Sequence, residues 1–569
     1  MRSFGTGLSS RFRQNGRSTR FFGIVLLLAI QASLLAGLNW ITSINRTEVG
    51  HLGAAVYFWK TGKFDVFHVN PPLTRMVDGV PFFLCMTESD WKAYSPRPQD
   101  RSEWNLGMAF IQASSPEKVR WCVFLSRCSL IPLILLGSFY GFRFASELFG
   151  NGGGFLFLFL WVFSPLVLGW GATICPDVVA SSLGVIAIYR LWHFLKIPNW
   201  KNAGLAGILL GLLPLAKMTW IIAFPLWIIL WAIWKCPEWK RFVTVVLIAV
   251  YVINMGYFFD GSFKRIGDYT FHSQTLTGIE PTAGSIAPKP DNRFRQTVLE
   301  NIPVPLPSEF IQGLDTQKRD FETGLPSYFY GESSQHGWWN YYFVTLAIKE
   351  PLGIWGLFLL AVFMSVFDKT FKSNWRNELM LLSPALALLL VVSAQTGFSI
   401  HPRYIIPMLP LVYLWIGKLA QTKNRTILSF ALLFVLWVVA GSLYYYPYSM
   451  SYFNESIGGA RNGPKYLLGS NIDWGQNLYL LDGWSKKHPE ARPFRTSYTG
   501  GENPKRFGMN LIGSVTSPLE TGWYAVGVNE LYELKEYKPF RDRTPIDRIG
   551  WSIFIYHIEN EKEEGTKNE

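Results

Sequence analysis

Lys217, Lys349 and Arg403 each stand inside or at the end of a long apolar run, where a charged side chain is costly and needs a reason to be present. Three such cations converging on one place would hold a phosphate through charge-assisted hydrogen bonds. For any one alone, snorkelling of the long side chain to lipid headgroups is the plain alternative. Glu48 offers the complementary chemistry of a general base, with His51 one turn later on the same helix face. An interfacial charge at a helix start would look the same. In FHVNPPLTR, Pro71 and Pro72 fix φ and push Asn70 toward extended backbone, so the turn presents His68, Asn70 and Arg75 together, unless it is only a loop re-entering the bilayer. Asp177 follows Pro176 and reads as a second acidic member of the site or as an N-cap. His336 and Trp338, in HGWW just before the run carrying Lys349, read as a stacking platform for a sugar ring or as part of an interfacial aromatic belt.

The elements that must position these residues are set by composition. The chain has 569 residues, of which 49% are hydrophobic and only 16% charged, too apolar for a water-soluble enzyme. A formal charge of +13 would suit nucleic acid, but Arg2, Arg11, Arg13, Arg17 and Arg20 directly precede the first apolar run. They read as a cytoplasmic topology signal, and no nucleic-acid partner is expected. The run from Phe21 to about Ile44 is too long for a signal-peptide core and lacks a clear small-residue cleavage site, so it reads as an uncleaved anchor. Cys85, Cys122, Cys128, Cys175 and Cys236 are odd in number and form no CxxC pair, which supports neither a zinc site nor a disulfide framework.

Apolar runs long enough to cross a bilayer fall near 21–43, 119–146, 154–173, 177–197, 202–217, 218–234, 242–259, 341–367, 377–397, 403–419 and 426–446. Splitting 202–234 at Pro214 and Lys217 puts Lys196 and Lys201, Lys235, Lys240 and Arg241, Lys369, Lys372 and Arg376, and Lys423 and Arg425 all on the inner side, as the positive-inside rule requires. The expected fold is therefore an all-α polytopic membrane protein of about 11 transmembrane helices with a small C-terminal extracytoplasmic α/β domain. Its parts are a cytoplasmic basic tail (1–20), a transmembrane domain (21–446) with outer loops 44–118 and 260–340, and the C-terminal domain (447–569). Within the first loop, Val49, Leu52, Ala55, Val56 and Trp59 recur at helical spacing, as in an amphipathic helix lying on the membrane surface. The C-terminal domain alternates strand-like WYAVGV and WSIFIYHI with the helical LYLLDGWSKK.

Taken in order, TEVGH, WKTGKFD, VNPPL, LAKMTW, PSYFYGESSQHGWWNYYFVTLAIKEPL, HPRYIIPMLP and YFNESIGGARNGPKYLLGSNIDWGQNL resemble glycosyltransferase family 39. These are the protein O-mannosyltransferase and aminoarabinose-transferase relatives of the C-type (GT-C) superfamily; the resemblance spans almost the whole chain, and the closing stretch is similar to a bacterial subgroup. It implies a GT-C fold and inverting transfer of a sugar from a polyprenyl-phosphate-linked donor to an acceptor hydroxyl on the outer face. Glu48 would be the general base, Lys217, Lys349 and Arg403 would stabilise charge on the departing phosphate, and Asp177 would orient the acceptor. His51, His68, Asn70, Arg75, His336 and Trp338 would bind substrate. One departure matters: the family's usual Asp before the Glu is Thr47 here, so Glu48 must take over, the base lies at Asp65 or Asp177, or activity is lost.

Two other readings remain. A secondary transporter would show inverted repeats, and none is visible; a non-catalytic binder of lipid-linked glycans is separated from an enzyme by turnover. Beyond the lipid-linked donor and membrane lipid, the acceptor is a protein, a lipid or a polysaccharide. No cofactor is certain, and Glu48 with Asp177 would share a divalent cation if they approach each other. Asn45-Arg46-Thr47 is a glycosylation sequon beside the expected base, where a glycan would obstruct the site, so a bacterial cytoplasmic membrane is the expected home.

Overall fold

The computed structural model describes residues 4–85, 102–281, 288–368, 371, 374–513, 515 and 519–559. Helix α1 (Phe4–Ile41) leads into three helices of the first long loop, α2 (Arg46–Thr61), α3 (Pro72–Cys85) and α4 (Ser102–Ala113). The chain then passes through α5 (Pro116–Phe149), α6 (Asn151–Val162), α7 (Pro165–Gly171), α8 (Asp177–Lys196), α9 (Trp200–Ala216), α10 (Ala223–Trp234) and α11 (Trp239–Gly256). Among the described residues, seven helices are long and apolar enough to cross a membrane, and two further pairs qualify as spans bent by 57° (α6 with α7) and 104° (Tyr341–Lys349 with Leu352–Phe367). The two remaining apolar runs, 202–217 and 218–234, are shorter helices. The protein is a multi-pass, helical membrane protein, and each of the eleven expected runs corresponds to one of these units. Lys369 and Lys372, two of the basic residues used to set topology, lie outside the described residues.

The break between the two shorter helices has a local cause. Pro214 lies in the last turn of α9, whose C-cap Lys217 adopts extended backbone (φ −155°, ψ 126°), and a 3₁₀ turn over Met218–Ile222 follows. The discontinuity delivers Lys217 sideways out of the helical stack.

Helix α2 lacks the solvated face expected of an amphipathic surface helix. Asn45 caps it, accepting from the backbone N–H groups of Thr47 and Glu48, while Glu48 reaches back to the Asn45 N–H, a complete capping box. Every residue from Thr47 to Phe58 is buried, because α3 and α4 cover the face expected to be solvated. Glycines permit this: a Cβ on Gly107 would lie 2.1 Å from the Val49 carbonyl oxygen, and one on Gly53 would lie 2.5 Å from that of Glu103.

The second long loop contributes the Ser308–Thr323 helix and a hairpin of β1 (Ser327–Phe329) and β2 (Glu332–Ser334). The C-terminal region holds β3 (Phe494–Thr496), β4 (Asn510–Leu511), β5 (Gly522–Gly527), β6 (Asp547–Ile549) and β7 (Ile553–Ile558) in the order β4-β3-β5-β7-β6. β3 runs parallel to β4 and β5, and β7 is antiparallel to β5 and β6. The expected strands are β5 and β7, and LYLLDGWSKK is the Leu478–Lys487 helix that packs its Leu478 and Leu481 on the sheet. Backbone bonds from Ser43 to Gln476 (2.9 Å), from Arg46 to Trp474 (3.3 Å) and from Gly501 to Ile44 (3.0 Å) fasten this domain to the junction of α1 and α2.

Candidate active site

The site forms where three chain breaks meet: the end of α9, the turn before α8, and the 3₁₀ segment Pro402–Met408 that opens the Pro402–Gln421 span. At such breaks side chains leave the helical packing, and here they converge on a cavity of about 210 Å³ lined by Asp177, Lys217, His401, Arg403, Tyr404 and Trp474. Asn70 of the NPP turn and Thr47 line it too, and Gln317, Asp320 and Phe321 of the Ser308–Thr323 helix cover it.

Asp177 begins α8 without capping it; its Oδ1 is paired with Lys217 Nζ, and its Oδ2 lies 4.0 Å from Arg403 Nε. Arg403 Nη1 donates to Cys175 Sγ at 3.2 Å, and its guanidinium lies 5.5 Å from the Trp170 ring centroid. Burial pushes the Cys175 thiol up to about 11, so this sulfur is a neutral acceptor for Arg403. Lys217 Nζ also sits over the Tyr404 ring at 4.7 Å. His401 Nδ1 lies 2.7 Å from Ser470 Oγ, and burial, with Arg403 and Lys217 nearby, holds its imidazole well below the usual histidine value and therefore neutral. Lys217 and Arg403 thus face Asp177 across the cavity, and Asp320 adds a second, partly exposed carboxylate to its lining.

Four expected residues, Asn70, Asp177, Lys217 and Arg403, line this one cavity. The others lie elsewhere. Glu48, expected as the general base, is wholly buried and its two oxygens accept four hydrogen bonds: Oε1 from Arg127 Nε (2.7 Å) and the Ile174 N–H (2.9 Å), Oε2 from Arg127 Nη2 (2.6 Å) and the Asn45 N–H (2.8 Å). A carboxylate so committed holds structure. Among the described residues no group of three or more His, Cys, Asp or Glu is placed to hold a metal ion.

Lys349 does not line the cavity: its ammonium is fully buried, donating to the carbonyls of Met450 (2.9 Å) and Asn471 over the Phe453 ring. His51 lies buried against Phe67 (5.1 Å between ring centroids), and both its ring nitrogens lack a hydrogen-bond partner among the described residues. Burial, reinforced by Arg403 and Arg75, keeps that imidazole neutral. His68 Nδ1 lies 2.8 Å from Glu309 Oε2, tying the NPP turn to the Ser308–Thr323 helix. Arg75 donates to the Phe67 carbonyl at 2.9 Å and holds the same turn. His336 is exposed, and Trp338 packs on Phe329 at 5.3 Å instead of offering a platform to the cavity. Asp65, the other fallback base, is exposed.

Sequence reading overlooked His401, Tyr404, Asp320 and Trp474. The first two flank Arg403 in HPRY and were open to the same reasoning; Trp474 lies in IDWGQ, and nothing local marks it as a wall of a cavity that also takes in Asp177 and Lys217. Thr47 lines the cavity and its Oγ1 accepts from Trp474 Nε1 at 2.7 Å, so the position where the family pattern has Asp faces the site while the following Glu does not.

In comparisons with known proteins, no family model matches the chain, and no curated protein matches it. Among solved structures the chain is similar to ArnT from Cupriavidus metallidurans bound to undecaprenyl phosphate, with a TM-score of 0.46 and 11% identity over 94% of this chain and 97% of that one. It is likewise similar to the apo state of the same protein, with a TM-score of 0.42 and 12% identity over the same shares.

Proposed function

We propose that the protein is an inverting GT-C glycosyltransferase that moves a sugar from a polyprenyl-phosphate-linked donor to an acceptor hydroxyl on the extracytoplasmic face of the membrane. The observation that carries this reading is the junction of two unlike cavities. The cationic one shares Met218, Gln317, Phe321 and Tyr404 with an apolar trough of about 310 Å³ lined by Ile221, Ile222, Leu314, Val391 and Val392. An anionic head joined to a long hydrocarbon chain fits that pair: the phosphate meets Lys217 and Arg403, and the first prenyl units lie in the trough.

In the proposed reaction the acceptor oxygen attacks the anomeric carbon and its proton passes to Asp177. The bond from that carbon to the phosphate oxygen breaks, and its electron pair leaves with polyprenyl phosphate. Lys217 and Arg403 stabilise the charge growing on that oxygen. In the absence of donor, Asp177 is neutralised by the same two cations. A bound phosphate competes with the carboxylate for both cations. Thr47 cannot serve as base, and Glu48 has no free lone pair directed at the cavity, which leaves Asp177 as the fully buried carboxylate lining it.

The test is binding of polyprenyl phosphate to the purified protein in lipid nanodiscs, compared with inorganic phosphate. Lys217→Ala and Arg403→Ala should each weaken the lipid at least about tenfold, the scale of one lost charged hydrogen bond. Equal affinity for inorganic phosphate, or unchanged lipid binding by both variants, would contradict the proposal.

A further inference from the structure

A second cavity lies against Trp474. It measures about 310 Å³ and is lined by Arg46, Asp473, Tyr498, Asn529, Glu530 and Glu533, so it is formed between the start of α2 and the C-terminal domain. It shares Leu325, Ile400 and Trp474 with the cationic cavity, so the two are separated by one layer of side chains. Trp474 is held in that wall by its bond to Thr47 and by an edge-to-face contact with His401 at 4.9 Å.

The cationic cavity, at about 210 Å³, falls below the range of about 300 Å³ upward for sites that enclose a whole small molecule, and a transfer reaction must bring two together. The donor enters from the apolar trough, so the acceptor needs a space of its own on the opposite side. The second cavity provides it, in a chemistry suited to one class of ligand. Carboxylates accept pairs of hydroxyl protons, an indole or phenol face stacks on the C–H face of a pyranose, and amide and guanidinium groups take the ring oxygens.

These groups are rigidly held. Asp473 is 3% exposed and its carboxylate is taken up by the Gly475 N–H (2.7 Å), Tyr498 Oη (3.0 Å) and Asn477 Nδ2 (3.2 Å), so it fixes the wall and leaves Glu530 and Glu533 as the carboxylates that meet a sugar. Asn529 donates to the Asp473 carbonyl at 3.0 Å and accepts from the Gly469 N–H at 2.8 Å, fixing the domain against this wall. Glu530 and Glu533 lie on the short Val528–Glu533 helix that lines the far side.

The geometry points to this cavity as a saccharide-binding acceptor site, from which the acceptor hydroxyl reaches the donor past Trp474. This inference rests on the transferase reading of the neighbouring cavity for its role, although not for saccharide binding itself. The experiment uses the full-length protein in nanodiscs on an array of defined oligosaccharides, with polyprenyl phosphate binding measured in parallel. Wild type should retain one or more oligosaccharides, and Glu530→Gln and Glu533→Gln, which keep side-chain volume, should weaken that retention about tenfold while leaving polyprenyl phosphate binding unchanged. No oligosaccharide retained by wild type, retention undiminished in both variants, or joint loss of saccharide and lipid binding would each overturn it. Saccharide binding by a wild type that fails to bind polyprenyl phosphate would leave this site standing and remove the transferase reading instead.

Discussion

At the scale of single residues, the central contrast is between two buried carboxylates with different employment. Glu48 is consumed by Arg127, which also donates to the carbonyls of Asn39, Thr42 and Ser43 and so closes the C-terminal end of α1. Glu48→Gln should therefore destabilise the protein by about 3–5 kcal/mol, because Arg127 is left as an uncompensated buried charge. Thermal unfolding in detergent would show it as a lowered Tm, and the pair Glu48→Gln with Arg127→Met should recover most of the loss. A wild-type Tm in the single variant would contradict this role. Asp177→Asn should behave otherwise: with the negative charge gone, Lys217 and Arg403 bind an anion more strongly, so polyprenyl phosphate affinity should rise while turnover falls by about 10²–10⁴, the usual contribution of a general base. If Asp177 only shaped the fold, binding and turnover would fall together.

The structural use of Glu48 was legible in the sequence. Asn45 followed three residues later by Glu48 is a capping-box pattern, and it competes directly with the reading of that Glu as a free base. Its partner Arg127 was not, because nothing local joins residues 79 positions apart. Lys349 misled for the same reason: an intramembrane lysine signals a site or a buried structural ion alike, and the two carbonyls that accept its hydrogen bonds come from residues 450 and 471. Asp177, Lys217 and Arg403 were legible because each sits at a helix break marked by Pro176, Pro214 or Pro402.

At the scale of elements, the spans followed from apolar run length and charge, since both are dictated by the bilayer and not by tertiary contacts. Helix α2 escaped because its apolar spacing fits a half-buried helix, whereas the glycines that bring α4 onto its other face read as ordinary loop residues. This yields a prediction at the same scale. Gly107→Val inserts atoms against the Val49 carbonyl where a Cβ alone would come within 2.1 Å, and should cost about 1–3 kcal/mol of stability as overpacking. Because α2 carries Thr47 to the cavity wall, turnover should fall at temperatures where the variant remains folded. Full activity with an unchanged Tm would show that the α2–α4 crossing is not needed at the site.

At the scale of the whole molecule, two acids, the buried Asp473 and the half-buried Glu530, lie where the C-terminal domain meets the start of α2. Burial pushes Asp473 up to about 6, against hydrogen bonds from Ser552, Gly475 and Tyr498, and pushes Glu530 up to about 7, with Asp473 and Glu533 raising it further and Arg46 opposing. The ordinary values are 3.8 and 4.5, so between those and about 6 to 7 the folded chain binds more protons than the unfolded one. Stability then falls as pH rises through that window, and the loss is complete above about 7. Glu530→Gln removes one such group, so its Tm advantage over wild type should be larger at pH 8 than at pH 5. A difference independent of pH would mean that Glu530 does not titrate in the folded protein.

The same assembly places an apolar trough, a cationic cavity and a carboxylate-lined cavity side by side, and the account stands or falls on what the middle one does. The most direct measurement is release of polyprenyl phosphate from a polyprenyl-phosphate-linked sugar by the purified protein in nanodiscs supplied with oligosaccharide and glycolipid acceptors, for wild type and Asp177→Asn. The account predicts steady release by wild type and a loss of about 10²–10⁴ in the variant, with the lipid still bound. Undiminished release by Asp177→Asn, or a wild type that binds the donor and never turns it over, would contradict it.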